Sequence, residues 1–362
     1  MAISTISATG LASNVSQLGK NLIQNGAMTV SQRGTAAGAD NHFSLDRWYW
    51  TQSSGDVCTK SQDTSVVPAG SGFKFSHKTD VTTAGGGAGA ADFNLTEQRI
   101  EAQNLQQLLY GVAGAKTLVA SFWFRSPKSG THCVALYQPD ATRSYVREFT
   151  VAVADTYEYF TMTFPGDTGG TITNDTGAGL HLVFPMNVGS NFKVAANQWA
   201  AGQDYATTNQ QNLLDNTANN IYITGVQLEI GSVATDFEHE PISVTLAKCQ
   251  RYFVRINDLD GAMPFMSGQA ITATRTRAVL HLPVTMRNTA LGGITVALSD
   301  AANHFSARAV NVAKAASGIA AQSSAGGNVI SLDLTIASTT AGDSILHESD
   351  TANAYVDFSS EI

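Results

Sequence analysis

Residues 117–125 read Thr117-Leu118-Val119-Ala120-Ser121-Phe122-Trp123-Phe124-Arg125, an aromatic and β-branched run bounded by Gly114 on one side and by Pro127 and Gly130 on the other. Its length and its boundaries suit a strand, and it falls far short of the ~18 apolar residues that a membrane span needs. Outward from this run the same signal recurs. Tyr157–Phe164 alternates, with Tyr157, Tyr159, Thr161 and Thr163 on one face and Phe160, Met162 and Phe164 on the other. Leu180–Phe184 and Ile221–Glu229 read the same way. Turn clusters such as Gly166-Asp167-Thr168-Gly169-Gly170 and Asn174-Asp175-Thr176-Gly177 separate these runs. Short strands at regular spacing with such turns predict an all-β fold, a jelly-roll-like β-sandwich.

Two stretches depart from the pattern. Glu97 to Tyr110 places Ile100, Leu105, Leu108 and Leu109 at loosely helical spacing, with Glu97 in the first turn and Gly111 past the end, which predicts one short helix packed on the sandwich. Pro241 to Phe253 opens with proline and spaces its apolar residues irregularly, as a partly helical connector would. Strand signals resume at Val279–Val284, Gly293–Leu298, Val329–Ile336 and Tyr355–Phe358, with fewer aromatics and more Ala, Ser and Thr. The expected organisation is an N-terminal arm or anchor over 1–20, a sandwich over 21–245 and a second, smaller β-rich domain over 246–362. No fixed period of 20–50 residues is present, which argues against a solenoid or propeller.

Of the 362 residues only 14% are charged and 43% are hydrophobic. A disordered chain has the opposite balance. The 21 Lys+Arg against 29 Asp+Glu give a net charge of −8, so the chain lacks the basic excess that marks a partner of duplex DNA or of an anionic membrane. Cys58, Cys133 and Cys249 are far apart and odd in number, which suits reduced, buried thiols better than a disulfide framework or a zinc site. The polar leader 1–20 lacks the charged start and continuous apolar stretch of a secretory signal.

Motifs for catalysis are missing. There is no GxSxG elbow and no HExxH, and a Walker pattern fails at Gly19-Lys20, where Asn14 and Asn21 occupy required positions. Glu238-His239-Glu240 has metal-binding residue types but reads as an exposed linker triplet. No enzyme, cofactor or metal is expected from the sequence.

Several segments together resemble one family. Asn21-Leu22-Ile23-Gln24-Asn25-Gly26-Ala27-Met28, then Ser31-Gln32-Arg33-Gly34 and Asp46-Arg47-Trp48, are similar to the opening of carbohydrate-binding-module-like sandwich domains in tail fibre and other virion proteins of tailed bacteriophages. Gln98-Arg99-Ile100-Glu101, Ser121-Phe122-Trp123, Gly166-Asp167-Thr168, Ile223–Glu229 and Cys249-Gln250-Arg251-Tyr252-Phe253 continue the likeness across residues 21–253. Many relatives carry an aromatic after the Gly-Asp-Thr turn; Ile172 stands here instead. The resemblance implies a virion structural protein, made in the host cytoplasm and released by lysis: a tail or capsid fibre subunit, a homotrimer in contact with other virion proteins, able to bind host-surface polysaccharide. A capsid decoration or cement protein without receptor binding is the nearest alternative, and a polysaccharide-depolymerising tailspike is a more distant one.

Sugar recognition needs an aromatic face for the apolar side of the ring and amides or carboxylates for its hydroxyls. Trp199 and Tyr205, with Gln198 beside them in a polar loop, meet that description. They could equally plug an interface or anchor the loop. Tyr137 and Tyr145, flanking the turn Gln138–Ser144, form a second candidate pair. Trp48, Trp50 and Trp123 lie in apolar stretches and are expected in the core, with Arg33, Arg47 and Arg99 orienting backbone or pairing with Glu101.

Overall fold

The computed structural model describes residues 19–34, 36–37, 42–43, 45–53, 57–259, 264–299, 304–309, 312–336, 339–349 and 354–362. All of the expected arm but Gly19 and Lys20 therefore lies outside the described residues. The chain divides into two compact units, the first ending at Thr245 and the second beginning at Leu246. Helix α1 (Ile242–Gln250) carries the chain across that boundary.

Among the described residues the first unit holds thirteen strands. In chain order they are β1 (Ala36–Ala37), β2 (His42–Phe43), β3 (Tyr49–Gln52), β4 (Val57–Asp63), β5 (Ser76–Thr83), β6 (Phe93–Glu101) and β7 (Leu118–Arg125). They continue with β8 (Gly130–Gln138), β9 (Arg143–Val151), β10 (Glu158–Phe164), β11 (Ala178–Val188), β12 (Trp199–Ala201) and β13 (Asn220–Ile230). One sheet has the order β1-β4-β5-β13-β7-β10 and the other β12-β9-β8-β11-β6-β3-β2. The unit is a jelly-roll-like β-sandwich.

Period-two alternation explains its core. In β7, Leu118, Ala120, Phe122 and Phe124 are buried in the gap between the sheets, where they meet Val134 and Leu136 of β8 and Leu182 and Phe184 of β11. Phe122 is a hub, with the rings of Phe149, Phe160 and Phe184 at 5.3, 5.8 and 5.0 Å. Strand β13 breaks its own alternation. Ile221 and Ile223 point inward, and so do Val226 and Leu228, because a bulge between Thr224 and Gln227 resets the register. Gly225 makes the bulge possible: its φ is +61°, and a Cβ there would stand 2.6 Å from the Phe73 ring.

The segment from Gly19 to Met28 clips onto the second half of β13. Leu22 N–H donates to Leu228 O (2.8 Å), Val226 N–H donates to Gly26 O (3.0 Å), and the Asn21 amide bridges Leu228 N and Val226 O. Asn25, at φ +55°, donates to the carbonyls of Val30 and Asp46, and its own carbonyl accepts from the Trp48 indole. Gln24 and Gln98 exchange two hydrogen bonds, of 2.6 and 2.7 Å. Glu238 is buried, not exposed as its sequence context suggests, because its carboxylate accepts the backbone N–H groups of Gly19 and Asn21. Many of the residues that carry the family resemblance thus serve to hold the clip.

Three expectations need correction. Glu97–Glu101 is strand, and the helix is a 3₁₀ segment, Ala102–Leu108, that stops at Leu109 in the left-handed region. Strand β6 is paired on both sides, Glu97 standing opposite Tyr49 of β3 and Val183 of β11, and two hydrogen-bond ladders outweigh helical spacing. Arg99 pairs with Glu97, a partner the sequence reading did not expect. Trp48 and Trp50 are buried, but Trp123 lies half-exposed on the outer face because Phe122 and Phe124 take the inward positions.

The second unit contains β14 (Phe253–Leu259), β15 (Pro264–Thr272), β16 (Arg275–His281), β17 (Thr295–Leu298) and β18 (Phe305–Ala309), followed by β19 (Val312–Ala325), β20 (Val329–Ile336), β21 (Ser344–Ser349) and β22 (Ala354–Ser359). Six of these close into a barrel, β15-β16-β20-β19-β18-β21, and β14-β22-β17 form a small sheet. Ala270, Ala278, Ala307 and Ala316 sit in the core with Leu332, Leu334 and Phe305. Cys58, Cys133 and Cys249 are buried thiols outside any disulfide.

Candidate functional site

The outer face of the seven-stranded sheet carries a cluster of ionisable and aromatic side chains. Alternation sends Leu180, Leu182 and Phe184 of β11 into the core and leaves His181 and Val183 outside. On β6 the same rule puts Leu95, Glu97 and Arg99 outside. Register then aligns Tyr49, Glu97, Val183 and Ala135 in one row and Arg99, His181 and Tyr137 in the next.

Over β8 and β11 this face is covered. Residues 189–207 cross it, and Phe192, Tyr205 and Ala206 pack on Leu95, Cys133, Ala135, Tyr137 and Val183. Phe192 stacks on Tyr205 at 5.8 Å and meets Phe93 edge-on at 5.2 Å. The ionisable cluster lies beside this wall, on β6 and β11.

Glu97 organises the cluster. Its Oε1 accepts from Arg99 Nε (3.0 Å), Arg99 Nη2 (2.8 Å) and Thr51 Oγ1 (3.2 Å), and its Oε2 lies 3.0 Å from His181 Nδ1. Burial works to raise the Glu97 pKa. The charge and hydrogen bonds of His181 and Arg99 outweigh it and hold the carboxyl at about 2. At neutral pH Glu97 is therefore a fixed anion and hydrogen-bond acceptor, not a proton donor. Its task is positional: it aims the Arg99 guanidinium, which lies 4.0 Å over the Tyr49 ring, and fixes the proton on His181 Nδ1. Tyr137 meets the His181 ring edge-on at 5.4 Å and Tyr205 at 6.1 Å, and the Tyr205 hydroxyl accepts from the exposed Gln203 amide. Burial raises the pKa of both phenols, so they remain protonated donors and acceptors. The arrangement suits a ligand with hydroxyl groups and little net charge.

The structure splits the sequence candidates between two places. Tyr137 and Tyr205 stand in the wall of this cluster, both buried, with Tyr205 only 2% exposed. Trp199 and Tyr145 face each other across the β12–β9 pair, 5.5 Å apart, on the core side. The Trp199 indole donates to Pro165 O at 2.7 Å, and its ring meets Tyr110 edge-on at 5.8 Å. Trp199 is thus a half-buried loop anchor, and Gln198 beside it is exposed. The Tyr145 ring is buried, and Trp199 keeps only part of its surface exposed. Sequence reasoning missed Tyr49, Glu97, Arg99 and His181 as a group. The signal available was alternation: Glu97 and Arg99 are two apart in a strand, which puts them on one face.

Neither a protein-family model nor a curated protein matches the chain. Among solved structures it is similar to the enzymatically active domain of tailspike protein 4 from bacteriophage CBA120, at 16% identity and TM-score 0.33, covering 59% of this chain and 22% of that one. It is also similar to a sugar-binding protein from Bacteroides thetaiotaomicron, at 13% identity and TM-score 0.33, covering 58% and 100%. A family 11 carbohydrate-binding module from Clostridium thermocellum, in complex with a mixed-linked tetrasaccharide, aligns at 11% identity and TM-score 0.28, covering 55% and 98%. The chain spans about a fifth of the tailspike domain. Likenesses this distant assign no activity.

Proposed function

We propose that the chain is a non-enzymatic attachment protein that binds glycan on the outer face of the seven-stranded sheet, and that it works as a tail or capsid fibre subunit of a tailed-phage virion, self-associated as a trimer. The observation that carries the glycan reading is the Glu97–Arg99–His181 network framed by Tyr49, Tyr137 and Tyr205. Its polar atoms are held in place before any ligand arrives, so binding would cost little ordering of side chains. A charge-poor chain whose polarity comes from hydroxyls and amides supports the same reading, because such surfaces exchange hydrogen bonds with neutral polysaccharide.

A glycan array probed with the full chain tests this. The expected result is binding to at least one polysaccharide class, weakened roughly tenfold or more by Glu97→Gln, which unfastens Arg99 and His181 together. Denaturation curves of the variant confirm that it remains folded. Binding that ignores Glu97→Gln rejects this face as the site. An array with no bound glycan rejects attachment altogether and leaves the decoration role, and shortened polysaccharide after incubation would establish depolymerisation instead.

A further inference from the structure

We infer that the opposite face of the sandwich, the outer face of the six-stranded sheet, carries a second and independent site for a neutral oligosaccharide chain, centred on Trp123 and Tyr159. The two residues stand directly opposite one another on β7 and β10, with ring centroids 5.3 Å apart and planes tilted by 47°. Tyr159 is 46% exposed, and Trp123 is half-buried. Neither ring is needed inside, because Phe122, Phe124, Phe160 and Met162 already fill the inward positions of these strands.

Two hollows of about 470 Å³ each flank the pair. Tyr159 borders one, with Thr161, Thr163, Ser232 and Thr235 around it. Trp123 borders the other, with Ser65, Thr156 and Tyr157. The Tyr157 hydroxyl donates to Val66 O at 3.1 Å and so fixes the rim of this second hollow. Its charges cancel, since Arg125 and Asp155 pair at 3.3 Å. The hollows fall within the size range of small-molecule sites, and their lining sets aromatic faces beside hydroxyls and aliphatic side chains, with the Asp236 carboxylate on the first as an acceptor for sugar hydroxyls. That combination matches a sugar ring, whose C–H side packs on an indole or phenol while its hydroxyls pair at the edges. A linear oligosaccharide laid across the aromatic pair would have a hollow at each end. Gly225 in the bulge lies close beneath the platform: a Cβ there would stand 3.1 Å from the Trp123 ring.

The test follows the indole N–H of Trp123 by NMR in the full chain during titration with neutral β-linked glucose, xylose and galactose hexasaccharides at millimolar concentrations. The expected result is a saturable shift of that resonance with at least one sugar. Tyr159→Ala, at an exposed position of edge strand β10, should weaken it roughly tenfold or more, and Thr161→Val should weaken it less. Tyr49→Ala, on the other face, should leave it unchanged, so the two sites stand or fall separately. Should Tyr159→Ala fail to fold, Thr161→Val decides. No shift with any of the three sugars overturns the proposal. A shift abolished by Tyr49→Ala overturns it too, and so does one that follows protein concentration without sugar, which would assign the face to a second copy of the chain.

Discussion

The two units of this chain bury their apolar residues in different ways, and the difference follows from the width of the space each encloses. The sandwich gap, about 10 Å between facing sheets, holds Trp48, Trp50, Phe122, Phe149 and Phe184. A closed six-stranded barrel is narrower and tapers, so Ala270, Ala278, Ala307 and Ala316 alternate with Leu and Ile there. Both units also bury a base. In the sandwich the Lys60 ammonium donates to Thr79 (2.9 Å) and Thr96 (2.8 Å) and lies 5.5 Å from the Trp50 ring centroid. In the barrel the His347 ring is buried with Nε2 2.7 Å from Thr276 Oγ1, and its Nδ1 has no hydrogen-bond partner among the described residues. Wide or narrow, each interior disfavours the charged form of its base.

The comparison can be broken most sharply through size. Phe122→Ala should cost the sandwich about 3–5 kcal/mol, read as a lower denaturation midpoint for the first unit, because three neighbouring rings lose their common contact and the gap cannot collapse. Next come the two bases. Burial lowers the Lys60 pKa to about 8. The unfolded chain keeps that proton to about 10.5, so raising the pH from 8 to 10.5 should stabilise the sandwich by roughly 3 kcal/mol, and Lys60→Met should remove that rise. Burial lowers the His347 pKa to about 4. Here the stability is present above the unfolded value of 6.5 and is lost as the pH falls from 6.5 to 4, again by roughly 3 kcal/mol. His347→Gln should flatten the acid limb of the barrel alone, and denaturation of the full chain across pH with a probe in each unit reads both effects. The comparison fails if Lys60→Met leaves the alkaline rise of the sandwich intact, or if His347→Gln leaves the acid limb of the barrel intact. The smallest effect tests the narrow interior: Ala278→Leu should overpack the barrel at a cost of about 1–3 kcal/mol.

Much of the fold was legible because a strand with one buried face writes its orientation into alternate residues. Thr117–Arg125 and Tyr157–Phe164 announce which side chains go inward, and the thinning of aromatics beyond residue 253 reflects the narrower barrel. The stretch Glu97–Glu101 misled because its helical spacing is local, whereas the pairing that makes it a central strand comes from Tyr49 and Val183, distant in the chain. The candidate site was half legible. Tyr137 and Tyr205 stood out as aromatics in polar company, but Trp199 and Tyr145 had the same appearance and turned inward. A polar sequence context does not say which side of a sheet a ring will cover.

Composition and period two settled the class of this protein: a charge-poor chain with short alternating strands must hide its apolar faces between layers of sheet, whatever order those strands take. That His181 would join Glu97 and Arg99 was decided only by tertiary structure. Register brought Glu97 level with Tyr49 and within reach of His181, and the bulge at Gly225 sent Val226 and Leu228 inward. The physical reason is range. Alternation is a property of neighbours along the chain, whereas a network of opposed charges or a pair of facing rings depends on strands that are distant in sequence and adjacent in space.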